Sequence, residues 1–306
     1  MKRLVFFVRL AYQAFVDLKA NDPLRLAAAT AFFALFALPP IIIILSQLYS
    51  GLTSGPDQRL SLQLFAKLAQ LLGTRSAQRL QDISQHLQQP RSSQWLTVLS
   101  GGLLVLSSTT LFAVIKNSLN QLWQVKPAAN RPIRYVFLEK ALALGLILAG
   151  GVVFSASLAL HQALKPWQHH WMVQSMTAGW SRPLILYGES IVGLTIGVAL
   201  LFKFLPDIKI GWPSVWVGAL VTGVLLKVGE QLLNQLLVKS PVSSFFGSSG
   251  AIMLILLFAF YSSLIFYYGA SFTRCYALWR QQALLPGAQA VAYQINDLED
   301  LPSEKA

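Results

Sequence analysis

Charge is scarce in this chain. Only 12% of its 306 residues are charged while 55% are hydrophobic, whereas a soluble globular domain carries charge on roughly a quarter of its residues. With a mean hydropathy of +0.54, that deficit excludes an ordinary water-soluble domain. Cysteine is scarcer still. Cys275 stands alone, which excludes an intramolecular disulfide, and with the four histidines it forms no metal-ligand spacing. No phosphate loop, dinucleotide glycine fingerprint or nucleophile elbow is present, so neither ATP hydrolysis within the chain nor a bound cofactor is expected.

What replaces charge is length of apolar run. Leu26 to Pro56, Ser92 to Ile115, Ala141 to Leu164 and Ser240 to Thr273 carry no charged residue, and each exceeds the ~20 residues a helix needs to cross ~30 Å of hydrocarbon. Pro183 to Leu205 and Trp212 to Val238 are long enough only if Glu189, and Lys227 with Glu230, lie inside them. The pattern predicts an all-α polytopic membrane bundle of about six transmembrane helices, near 26–48, 95–115, 136–160, 183–205, 212–238 and 249–273, within a domain covering 23–285. An amphipathic helix over 1–22 precedes it. Its apolar start is broken at Arg9, which argues against a cleaved signal peptide, and Arg9, Gln13 and Asp17 recur every fourth residue as a polar stripe.

Between the first two spans, Leu60, Leu64, Leu68, Leu71 and Leu72, then Leu80, Ile83 and Leu87, predict a helical hairpin over 57–89 outside the bilayer, as core packing or a partner-binding face. Pro39 and Pro40 remove two backbone donors and predict a kink or break in the first span. After Pro286 and Gly287 the chain turns acidic through Asp297, Glu299, Asp300 and Glu304, which predicts a disordered tail over 286–306.

The formal charge of +12 raises nucleic acid as a partner, but the basic residues gather at segment ends rather than in one patch, so none is expected. With Lys227 inside a span, fifteen of the others fall on the side of the amino terminus and eight, including Arg182, on the opposite side. That bias predicts both termini in the cytoplasm.

Candidate functional residues are the polar ones inside the spans. Glu189, Gly193 and Gly197 share a face of the fourth span, which puts the carboxylate beside glycines suited to close packing. In the fifth, Ala219, Gly223, Lys227, Glu230 and Asn234 cover an arc of about 80° at 100° per residue. In the second, Thr110, Asn117, Gln121 and Gln124 fall together on a face expected to look inward. Glu189, Lys227, Glu230, Asn234, Asn117 and Thr110 therefore outline a polar substrate seam, because an ionisable residue at mid-membrane costs roughly 2 to 4 kcal/mol and turns to a cavity or a partner. The competing reading makes Lys227 and Glu230, three residues apart, a structural pair that neutralises itself.

The chain also resembles a known family. Phe32, Phe33, Leu38 and Pro39 in the first span, Leu119, Asn120 and Trp123 closing the second, and Phe202, Leu205, Pro206 and Asp207 closing the fourth carry the likeness. Gly218, Ala219 and Leu220 in the fifth, then Phe246, Gly247, Ser248, Gly250, Tyr261, Gly269 and Ala270 around the sixth, complete it. In order and spacing these residues resemble the YihY family of bacterial inner-membrane proteins, also called the virulence factor BrkB family and once labelled ribonuclease BN. Two positions depart: Phe258 stands where many relatives carry Trp, and Ser271 where they commonly carry Glu, which weakens any role needing an anion there.

The resemblance implies a six-helix bundle in the cytoplasmic membrane, with transport or lipid movement proposed for some members. Membrane lipids are the expected partners, with a second copy or a membrane or periplasmic protein as further ones. A scaffold that anchors partners through the hairpin or the amino-terminal helix is the alternative to transport. The old ribonuclease label needs clustered metal ligands. His86, His161, His169 and His170 all fall on the side expected to be non-cytoplasmic, and only His86 has a nearby acid, Asp82, so no enzyme activity is expected. Three of those histidines lie near Trp167 and Trp171, the composition of an interfacial belt.

Overall fold

The computed structural model describes residues 2–52, 109–128, 178–233, 250–287 and 289–293, with single positions between them. The hairpin at 57–89, the interfacial histidines, Phe246 to Ser248 and residues 294–306 lie outside the described residues, apart from a helical Gln78. The third span is represented by Tyr135, Leu138, Ala141, Gly145, Leu146, Ala149 and Val152, each helical.

Helix α1 covers Lys2–Lys19 and α2 covers Pro23–Leu52. Between them Asn21 returns its side-chain amide to the carbonyl of Asp17, Asp22 takes a positive φ of 51°, and Pro23 opens α2 where its missing N–H costs nothing. Helix α2 continues as helix through Pro39 and Pro40, so the expected break is not found. Two adjacent prolines remove only neighbouring bonds, and in an apolar medium the remaining ladder has no competitor for its carbonyls.

Helix α3 occupies 109–122 and runs into strand β1, Val125–Pro127. Helix α4 spans Ala178–Phe204, β2 Ile208–Lys209, α5 Trp212–Leu233 and α6 Gly250–Trp279. Helix α6 stops in a Schellman turn, with Gln281 at φ 53° and Gln282 donating to the carbonyl of Ala277 at 3.0 Å. Strands β3, Leu285–Pro286, and β4, Ala290–Ala292, follow.

These last strands correct the expected tail. β3 pairs antiparallel with β2 and β4 with β1, so residues 285–293 fold back over the ends of α3 and α4 rather than hanging free. The acidic residues that suggested disorder begin beyond that point, and the apolar run from Leu285 to Ala292 was the stronger local signal.

Helix α5 decides the solvent. Trp212, Trp216, Leu220, Val224, Val228 and Leu232, every fourth residue along its length, are exposed. Ser214, Val215, Gly218, Ala219, Thr222, Gly223 and Gly229 are buried on the other side. Both stripes follow the same row of positions and wind round the helix together. An apolar face of that length is untenable in water and is the lipid face of a membrane helix, with small residues toward its neighbours. Trp212–Leu233 and Ile252–Trp279 are each long and apolar enough to cross a membrane, and Pro23–Leu38 and Ile191–Phe204 are shorter apolar stretches of the same kind.

The tightest helix contact is reciprocal. Gly218 of α5 lies under the side chain of Thr273 of α6, and Gly269 of α6 lies under Thr222 of α5. Each threonine hydroxyl donates at 2.7 Å to the carbonyl of the glycine one turn before it in its own helix. The hydroxyls are thereby satisfied without water, and each threonine side chain, its hydroxyl oxygen foremost, sits where a Cβ on the facing glycine would stand. Around this contact Leu119, Leu122, Phe202, Val215, Ala219, Tyr267 and Ala270 are fully buried. A Cβ at Gly269 would fall inside the van der Waals shell of the Thr222 side chain. Gly269→Ala should therefore cost about 1 to 3 kcal/mol, read as a lowered Tm in detergent. Thr222→Ala in the same chain should recover part of that loss.

Candidate functional site

Polar side chains gather at two levels of the bundle. The first is the end at which α1 meets the carboxyl-terminal half of α6. Leu10 and Ala14 of α1 bury against Phe272 and Cys275, and this apolar contact brings Asp17 to α6. Arg274 donates from Nη1 to Asp17 Oδ1 at 2.7 Å and from Nη2 to the side-chain oxygen of Gln124 at 2.7 Å. Ser271 donates within 2.9 Å of both Asp17 Oδ2 and the carbonyl of Ala14. One carboxylate thus joins α1 to α6, and one guanidinium carries the link to the end of α3. The position at which Ser271 departs from the family pattern is not without an anion, because Asp17 brings one from α1. Of the expected stripe, Arg9 and Gln13 remain exposed while Asp17 turns inward.

A second carboxylate organises the corner after α4. Asp207 accepts from Asn120 Nδ2 at 3.0 Å, and its own N–H donates to Asn120 Oδ1 at 2.9 Å, so one asparagine reads both the side chain and the backbone of one aspartate. Lys116 lies 3.0 Å from the other carboxylate oxygen, and the N–H of Gly287 donates to the carbonyl of Asp207 at 2.9 Å. A Cβ on Gly287 would stand 3.2 Å from that carbonyl oxygen, tighter than is comfortable. Close by, Trp123 donates its indole N–H to the carbonyl of Ala270 at 3.0 Å. Thr30 of α2 and Tyr267 of α6 share a short hydroxyl contact in the buried centre.

The second level is the expected seam. Lys227 Nζ lies 3.0 Å from Glu230 Oε2 and 3.1 Å from Oε1, a bidentate pair with side chains about a fifth exposed. It sits on the face of α5 that carries Gly223, and Gly223 packs against Thr195 and Ile191 of α4. The Thr195 hydroxyl is buried and has no hydrogen-bond partner among the described residues. Glu189 is helical in α4, but its side chain, like Asn234, lies outside the described residues. Thr110 is half-buried in α3.

Two expectations need correcting. Asn117 is exposed, whereas Gln121 and Gln124 of the same expected face reach Asn21 and Arg274, and Ser118, Leu119 and Asn120 are buried because the apolar Leu119, Leu122 and Trp123 fill the core. Gly197 has no described residue within 4 Å of where its Cβ would stand; among the described residues Gly223 makes the close approach between α4 and α5, with Thr195 Oγ1 2.8 Å from its Cβ position. What sequence reasoning missed is the network at the α1 end. Lys116 and Arg274 entered it only as charges marking orientation, although Asn120 and Asp207 were already prominent in the family-like pattern.

A family model described as virulence factor BrkB matches residues 14–292. The chain belongs to the BrkB family. It is 23% identical over 249 residues to a UPF0761 membrane protein of Bordetella petrii, covering 81% of this chain and 53% of that protein. It is 25% identical over 272 residues to a UPF0761 membrane protein of Saccharophagus degradans, covering 87% and 58%. A UPF0761 membrane protein of Tolumonas auensis is 25% identical over 190 residues, 60% of this chain and 59% of its own length. The chain therefore spans a little over half the length of these relatives. No solved structure matches it. The BrkB-like residues Asn120, Trp123, Asp207, Gly218, Gly269 and Ala270 are those that build the Asp207 corner and the interlocked helix contact.

Asp207→Asn leaves the asparagine pairing possible but strips Lys116 of its anion, and should lower stability by about 2 kcal/mol. The double variant Lys116→Met, Asp207→Asn should regain most of it, as measured by thermal unfolding in detergent.

Proposed function

We propose that this BrkB-family chain is a multi-pass protein of the bacterial inner membrane, with both termini cytoplasmic, that accommodates or moves a lipid or other amphipathic molecule. The polar head of that molecule would travel along the seam between α4 and α5. The observation that carries the reading is the Lys227–Glu230 pair, two charges set into an apolar helix at 3.0 Å from one another and still about a fifth exposed. A pair sealed purely for structure gains nothing from that residual access, whereas a headgroup carrying both charges can exchange with it.

Register supports the same grouping. α4 and α5 are consecutive and antiparallel, and Gly223 meets Ile191 and Thr195. One turn further along α5, Lys227 comes level with about residue 189 of α4. Glu189, Lys227 and Glu230 thus share a depth, roughly 22 Å along α5 from Trp212 at 1.5 Å per residue. The hydroxyl of Thr195, unpartnered among the described residues, lies on the way to them. No bond-breaking chemistry is part of this reading.

A second reading is favoured by the geometry of the same pair, since a bidentate contact three residues apart neutralises itself. On that reading the bundle is a scaffold and the pair only keeps α5 soluble in lipid.

Purified protein in vesicles separates the two, with movement of a fluorescent phospholipid between leaflets as the readout. The wild type should accelerate movement over protein-free vesicles. The near-isosteric neutral double variant Lys227→Met, Glu230→Gln, and Glu189→Gln alone, should each lower that rate at least tenfold with Tm unchanged. Equal rates with and without protein, or full activity in the neutral double variant, would defeat the transport reading.

A further inference from the structure

Helix α1 crosses α6 rather than running beside it. Tyr268 meets the carbonyl of Ala11, Ser271 that of Ala14, and Arg274 the carboxylate of Asp17, so along these contacts both helices advance together. Yet Phe6, near the start of α1, packs against Trp279, at the end of α6, with ring centroids 4.3 Å apart. Only a steep crossing near Ala14 and Ser271 allows both. Between that crossing and the Phe6–Trp279 contact, the amino-terminal half of α1 and the last turns of α6 leave an open wedge of about 340 Å³.

Its walls are apolar and its rim is not. Phe6, Leu10, Leu278 and Trp279 form the walls, and Arg9 with Gln13 stands at the mouth. Arg9 is exposed and, among the described residues, has no ion-pair partner. That sets it apart from Lys116, Lys227 and Arg274, each of which holds a carboxylate within 3.0 Å. The rest of α1 exposes Val5, Val8, Tyr12, Phe15 and Val16, a surface that only acyl chains cover well. The same end of the bundle exposes Lys19, Lys126, Lys209 and Arg280, so the potential at the wedge favours an anion.

We propose that the wedge is a binding site for an anionic phospholipid, its phosphate held by Arg9 and Gln13 and the upper part of an acyl chain lying over Leu10, Leu278 and Trp279. The charge at the mouth selects the headgroup, and the apolar walls require that it come with a chain attached. The site is independent of the seam. Lys227 lies nine residues along α5 from the level at which Gly218 meets Thr273, about 13 Å further into the bilayer.

Delipidated full-length protein in detergent, titrated with palmitoyl-oleoyl phosphatidylglycerol or the matching phosphatidylcholine and read by native mass spectrometry, tests this. The wild type should retain one phosphatidylglycerol at least fivefold more tightly than phosphatidylcholine. Arg9→Ala should abolish that preference, Arg9→Lys should keep most of it, and Leu278→Trp, which fills the wedge while leaving Arg9 in place, should abolish retention. Soluble glycerol phosphate at equal concentration should not displace the lipid. Undiminished preference in Arg9→Ala would overturn the proposal, and so would unchanged retention in Leu278→Trp, including the case in which that variant instead turns a dimer into a monomer. If Arg9→Ala fails to fold, Leu278→Trp decides alone.

Discussion

The interlock of α5 with α6 is the contact on which the rest of the bundle depends. In lipid the hydrophobic effect does not draw helices together, so association has to come from close packing and from satisfied polar groups. Gly218 and Gly269 admit the opposing threonines, and each threonine hydroxyl is silenced by a carbonyl of its own helix. Because α6 is fixed in this way, its remaining faces are available to others. Ala270 offers a carbonyl to Trp123 of α3, Tyr267 meets Thr30 of α2, and Ser271 and Arg274 receive Asp17 from α1. Displacing α6 by one residue would turn each of those groups through about 100° and break them together.

Charge compensation is the second constraint, and it explains why the polar residues of this chain come in partnered sets. Asp17 has Arg274, Asp207 has Lys116, and Glu230 has Lys227, each at 3.0 Å or less. An unpaired charge near hydrocarbon costs several kcal/mol, so a chain with few charges still has to bring them into contact across the fold. Two of these pairs join segments far apart in sequence, and both lie at the end where α1, α3, α4 and α6 converge. They tie the loop after α4 and helix α1 to the rest of the bundle. Lys227 with Glu230 is different: the two stand three residues apart on one helix, and they lie away from that end.

This difference also sets what could be read in advance. The spans expected at 212–238 and 249–273, found as Trp212–Leu233 and Ile252–Trp279, were legible because bilayer thickness imposes a length on an apolar run, and the small-residue face of α5 was legible because 100° per residue fixes which positions share a side. The local pair Lys227–Glu230 was legible for the same reason. The Asp17–Arg274 and Lys116–Asp207 pairs were not, because nothing in spacing alone says that residue 17 meets residue 274. The place of Asn117 on α3 was misjudged for a related reason. Its polar neighbours suggested one inward face, but burial at that level is decided by the larger apolar area of Leu119, Leu122 and Trp123.

The family-like residues deserve a physical reading of their own. Asn120, Trp123, Asp207, Gly218, Gly269 and Ala270 all serve the interlock or the Asp207 corner, which are matters of holding helices in place. None of the seam residues Glu189, Lys227 or Glu230 belongs to that set. A likeness carried by such residues therefore accounts for the architecture of the bundle and is silent on what passes along it. Function has to be sought where polarity is present without structural need. The part-exposed pair on α5 and, among the described residues, the unpartnered hydroxyl of Thr195 and the unpaired guanidinium of Arg9 are places to look for it.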